Sequence, residues 1–248
     1  MREALEPEGR YLYCVTEAVD TDLGKIGLRN SKVFPVLYRD LVGVVSSIAY
    51  ESLEASLPDI LVHQKVVEAC WSKGTTLPVR FGVIFKNENG VRQMLAKSYE
   101  EYKAKLTNLE KKDEYGAKVI ISEEGLKKIK QGIESQSEEV GKLKKVVAKS
   151  TRGTSYLLKI KMDEALRNET AKTIEELAKN VHTDLTKAAL QSALLKSDHE
   201  QIALNAAYLV PRGQRKEFEA QVVAVKRRYE SEGVGIHLSG PWAPYSFC

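Results

Sequence analysis

Residues 202–211, IALNAAYLVP, form an apolar run with a tyrosine near its centre and a closing proline, and what flanks them decides the fold. On the N-terminal side lies a second short apolar run, ALLK at 193–196, separated by the turn-like Ser197-Asp198-His199, so the two runs read as a β-hairpin. On the C-terminal side, Phe218, Val222, Val225 and Tyr229 share one face of a helix from Gln214 to Glu230. Gly233 and Gly235 end that helix, and IHLSG at 236–240 supplies a last strand.

Further upstream, YGAKVII at 115–121 reads as a strand, and Ser122 followed by Glu123 and Glu124 opens a helical region. Leu126, Ile129, Ile133, Gln136, Val140, Leu143 and Val147 advance in steps of three and four, a packing seam broken only by Gln136. After Ser150–Gly153 a helix over 155–187 places Ile174, Leu177, Val181, Leu185 and Ala188 on one face, which gives an antiparallel helical hairpin. The order strand, helices, strand, strand, helix, strand is the split β-α-β arrangement of a ferredoxin-like domain with an enlarged helical crossover.

The N-terminal half is also mixed. RYLYCVTE at 10–17, KVFPVL at 32–37 and LVGVVSSI at 41–48 read as strands, the last two forming a hairpin around Tyr38–Asp40. A helix is expected from Pro58 to Lys73, where Pro58 suits the first turn and Gly74 the stop. TLPVRFGVIF at 76–85 is β-rich but interrupted by Pro78 and Gly82, so a bent or edge strand is expected, followed by one helix over 88–111. The charged stretch LEKKDE at 109–114 separates the halves. The expectation is an α+β chain with an N-terminal α+β domain over 1–111. Its C-terminal domain, 112–248, is a modified ferredoxin-like fold with the helical hairpin and the tail.

At 248 residues the chain is long enough to bury a core, and 43% apolar with 29% charged residues is a folded composition. Lys and Arg number 38 against 34 Asp and Glu, a net charge of +4 that is too small and too evenly spread to demand a polyanionic partner. Cys14, Cys70 and Cys248 form neither a disulfide framework nor a metal motif. The charged opening MREALEPEGR is unlike a secretory signal, and no apolar run approaches about 20 residues, so a cytoplasmic location without membrane contact is expected. The sequon at Asn168 then has no meaning.

Motifs for chemistry are missing. The glycines of Gly24–Gly27 and Gly233–Gly235 have the wrong spacing for a phosphate loop, and the four His residues are isolated rather than paired as metal ligands. His63 and Cys70 share a helix face as the least poor base and nucleophile, but two turns separate them by about 10 Å, so structural roles are expected for both. No enzyme activity, metal or cofactor is expected. Tyr11 and Tyr13 share a strand face on which bases could stack, which keeps an RNA-binding ferredoxin-like module as the alternative reading. Core tyrosines are the simpler use, and nucleic acid is a secondary partner class.

Four segments together resemble the gas vesicle protein F/L family: LPVRFGVIF at 77–85, EYGAKV at 114–119, LNAAYLVP at 204–211 and GPWAPYSF at 240–247. The strand at Tyr11–Tyr13 and the helix around His63 also look like the family, although Gln64 stands where an acidic residue is common. The resemblance implies a two-domain α+β accessory protein, a minor vesicle component. It implies a partner too, the major gas vesicle shell protein (GvpA), which such a protein would bind and keep from aggregating, alongside other gas vesicle proteins. Candidate structural or interaction positions are Arg80, Phe81, Trp242, Tyr245 and Phe247. Arg80 stands in an apolar run as a buried ion-pair member or an interface contact, and Trp242, Tyr245 and Phe247 in the proline-stiffened tail serve as a clasp or as a partner anchor.

Overall fold

The computed structural model describes residues 8–17, 23–197, 199 and 201–248. The chain divides into two compact units, one made of the residues up to Glu114 together with Pro241–Cys248, the other of Tyr115–Gly240. The tail, grouped with the C-terminal half in the sequence reading, therefore belongs to the first unit.

In the first unit, strands β1 (Glu8–Thr16), β2 (Val33–Tyr38), β3 (Leu41–Ala49) and β4 (Thr76–Pro78) make a sheet in the order β2-β3-β1-β4, and the two-residue β5 (Ile84–Phe85) also pairs with β1. The 76–85 segment is thus a bent edge. Pro78 ends one piece, Gly82 (φ 92°) sits in the bend, and backbone bonds from Val79 N to Tyr13 O and from Leu12 N to Val83 O keep the bend tied to β1.

Every residue from Tyr11 to Thr16 is buried, because β1 is covered on both sides. Helix α1 (Leu57–Trp71) brings Val66, Val67 and Cys70 to Tyr11 and Tyr13, and α2 (Glu88–Lys97) brings Val91 and Leu95 toward Leu12 over Gly43. A bulge between Leu12 and Cys14 shifts the register against β3 and turns Cys14 into the same cluster as the tyrosines.

Local chemistry sets the helix starts. The Ser56 hydroxyl accepts from Asp59 N ahead of α1, and the Asn87 side chain accepts from Gly90 N ahead of α2. The single helix expected over 88–111 is two: α2 stops at Lys97 and α3 (Tyr99–Leu109) follows after Ser98, whose backbone (φ −110°, ψ 22°) leaves the helical range. The break lets Leu106 and Leu109 be buried independently of Val91 and Leu95.

The second unit holds most of an antiparallel sheet of β6 (Lys112–Ile121), β7 (Gln191–Leu194), β8 (Ile202–Pro211) and β9 (Val234–Trp242), ordered β7-β8-β6-β9, with the first residues of β6 and the last two of β9 counted in the first unit. The expected turn between the hairpin strands includes Asp198, which lies outside the described residues. Both sheets place their first strand inside, their hairpin on one side and their last strand on the other. Tyr115, Ala117 and Val119 of β6 and Leu204, Ala206, Tyr208 and Val210 of β8 alternate onto one face. That face packs against Leu177, Val181 and Leu185 of α6 (Arg152–Thr186) and Phe218, Val222 and Val225 of α7 (Arg215–Tyr229).

The first arm of the expected helical hairpin is also two helices, α4 (Glu123–Gln136) and α5 (Glu138–Lys149). Ser137 accepts from Val140 N and starts a new helix with Glu138 and Glu139 in its first turn, which favours breaking there over running through. The seam serves the fold: Leu126 and Ile129 pack on the main core, while Ile133 and Val140 cluster with Ala165 of α6.

Candidate functional site

The bend in the 76–85 segment brings Arg80 and Phe81 into the lining of a cleft of about 420 Å³ within the first unit. Helix α1 contributes Ile60, His63, Gln64 and Glu68; the start of β6 contributes Glu114; and the tail contributes Trp242, Ala243 and Tyr245. Four of the five positions singled out in the sequence, Arg80, Phe81, Trp242 and Tyr245, thus line one cleft. Phe247 is half-buried and does not line it.

Aromatic rings build the floor. His63 lies edge-on to Tyr11 and Phe81, with ring centres 5.7 and 5.9 Å away, and the Tyr245 ring centre is 6.5 Å from the imidazole. Gly82 N–H donates to the Tyr11 hydroxyl at 3.2 Å, and the same hydroxyl is hydrogen-bonded to His63 Nδ1 at 2.8 Å, with the imidazole tautomer setting which of the two donates. Burial drives the His63 pKa down to about 4, opposed by the Val79 carbonyl, and the ring is neutral at pH 7. Its partner is therefore Tyr11 and not Cys70, which is fully buried in the same core as Cys14. The unfolded chain takes up this proton near pH 6.5 and the folded chain only near pH 4, so the contribution of His63 to stability is lost as pH falls through that window. We expect it to fall by on the order of 1 kcal/mol per pH unit, and urea titrations of His63→Gln at pH 4–7 should show that slope flattened.

The tail is held by an acid. Ser246 donates to Glu114 through its backbone N–H at 2.7 Å and its hydroxyl at 2.8 Å, while Ala243 is 1% exposed in the cluster of Tyr11 and Tyr13. Burial raises the Glu114 pKa and the two Ser246 bonds oppose the rise. Between these fixed points Trp242 and Tyr245 remain 37% and 39% exposed, so the tail is both a clasp and a source of open aromatic surface.

Arg80 is exposed and makes no ion pair among the described residues, which corrects the reading of it as a buried ion-pair member. Tyr11 and Tyr13 are 0% exposed, with Tyr13 accepting from Leu28 N and bonded to Ser46 Oγ, so neither offers a face for base stacking. Among the described residues no cluster of His, Cys, Asp and Glu could hold a metal ion, and no helix is long and apolar enough to cross a membrane.

Comparison with known proteins gives the lineage. The family model for gas vesicle synthesis protein GvpL/GvpF matches residues 9–248. Gas vesicle protein L of a Streptomyces species is 26% identical over 96% of this chain and 92% of its own length. Gas vesicle protein F of Haloferax mediterranei shows the same identity and coverage. Crystal structures of gas vesicle protein GvpF from an Anabaena species and from Microcystis aeruginosa share the fold, with TM-scores of 0.83 and 0.75 at 21% identity, covering 97% and 96% of this chain and 98% of each of theirs. With the match running through both units and the tail, the chain belongs to the GvpL/GvpF family of gas vesicle synthesis proteins.

Proposed function

We propose that this chain is a minor gas vesicle component that works in the cytoplasm as an accessory protein, binding the major shell protein GvpA and keeping it soluble while vesicles assemble. The observation that carries the reading is the family match over residues 9–248. Physical chemistry supplies a rationale: subunits that bury much apolar surface in a finished shell expose it when free, and a soluble partner that covers such patches prevents aggregation. The cleft of Arg80, Phe81, Trp242 and Tyr245, open and mostly apolar, suits such a contact better than catalysis.

Co-expression with the shell protein tests it. The shell protein is expected to stay in the supernatant and co-purify in a defined ratio with this chain, and to pellet when expressed alone. Pelleting in both cases would remove the reading.

A further inference from the structure

One face of α1 extends the cleft. Leu57, Ile60, Leu61 and Gln64 follow helical spacing, and Ile60 and Gln64 already line the cleft. Leu57 is 70%, Leu61 55% and Ile60 38% exposed, an apolar ridge that no described residue of the first unit covers. It leads to the open faces of Trp242 and Tyr245.

The ionised groups around the cleft differ in how they are satisfied. Both Glu114 oxygens take hydrogen bonds from Ser246, and Glu68 accepts from Gln64 Nε2 at 3.0 Å. Arg80 alone of the lining charges has no partner among the described residues, and the residue is exposed. A guanidinium has five donors arranged to receive a carboxylate, and beside apolar surface such a pair gains from partial desolvation.

Resting on the function proposed above, we infer that the α1 ridge and the cleft together seat an apolar segment of the shell subunit, which presents one carboxylate to Arg80. The apolar ridge and the tail aromatics supply affinity, and the Arg80 pair fixes the register. Both Arg80 and Leu61 are exposed, so each can be changed without disturbing the core.

Full-length chains carrying Arg80→Glu, Leu61→Asp or, as a control in the second unit, Tyr156→Ser would each be co-expressed with GvpA and their complexes compared by co-purification and titration, with thermal melts to confirm folding. Arg80→Glu and Leu61→Asp are each expected to weaken the complex at least 10-fold and Tyr156→Ser to leave it unchanged. If the wild-type chain binds GvpA and both cleft variants bind equally well, the inference fails while the assembly role stands. If the wild-type chain does not bind, both fail. Should the chain alone sediment as a dimer that Leu61→Asp and Arg80→Glu dissociate, the face belongs to a second copy and the inference is overturned.

Discussion

Gly233→Ala should destabilise the second unit by roughly 3 kcal/mol or more, a large share of the 5–15 kcal/mol typical of a domain. Gly233 ends the turn after α7 with φ 74°, a region costly to any residue with a Cβ. Its environment removes any room for adjustment: a Cβ built there would lie 2.4 Å from the Gly125 Cα and 2.6 Å from the Gly125 nitrogen, both backbone atoms. The contact is close because α4 starts against this turn. The Ser122 hydroxyl accepts from Gly125 N–H and donates to the Gly233 carbonyl, which also takes the Ser122 N–H. A side chain at either glycine would prise the helix start from the turn, and Gly125→Ala, whose Cβ would stand 2.6 Å from the Gly233 oxygen, should behave similarly. Gly132 on the same helix meets nothing within 4 Å, so Gly132→Ala should stabilise by about 0.5–1 kcal/mol. Urea unfolding of the three variants gives the comparison, and a Gly233→Ala midpoint equal to wild type would refute the close-approach account.

The glycine pair also shows what a sequence reader can and cannot see. Gly233 was legible as a helix stop, because a glycine after Phe218, Val222 and Val225 matches a known terminus. That it touches Gly125 was not, since the two glycines stand 108 positions apart in the chain and no spacing signal links them. The same division runs through the fold. Period-two alternation in β6 and β8 and the three-four pattern on α6 and α7 reveal the core of the second unit, because one buried face imposes the period. The breaks at Ser98 and Ser137 were harder: periodicity survives a one-residue interruption, and only the capping chemistry of Ser137 with Glu138 and Glu139 marks the new start. At the cleft, Arg80, Phe81, Trp242 and Tyr245 were visible as a charge in an apolar run and as large rings in a stiff tail. His63 was visible only as half of an unconvincing catalytic pair. Its true partner Tyr11 is 52 positions away, and the Glu114 contact with Ser246 spans 132, distances at which only the folded chain shows the pairing.

Deleting Ala243–Cys248 should lower the stability of the first unit by about 2–4 kcal/mol and return the His63 pKa toward 6.5. Ala243 and Pro244 are buried, and Tyr245 packs its ring near the imidazole. Without them water reaches His63 and Tyr11, the desolvation that now holds the histidine neutral is relieved, and the apolar burial of the tail is lost. Glu114 loses both Ser246 donors but gains solvent, so its carboxyl should fall back toward the ordinary range instead of rising further. The two effects separate a clasp from a mere appendage. A tail that only decorates the surface would leave the NMR-detected His63 titration near pH 4 and the melting temperature unchanged. A clasp shifts both together, and it flattens the acid dependence of stability between pH 4 and 6.5 as His63→Gln should do. Because the deleted residues carry the open face of Tyr245, the truncated chain should, on the function proposed above, also hold less of the shell protein in solution. The point change Trp242→Ser, at a position 37% exposed, should weaken that contact while leaving His63 and the fold in place.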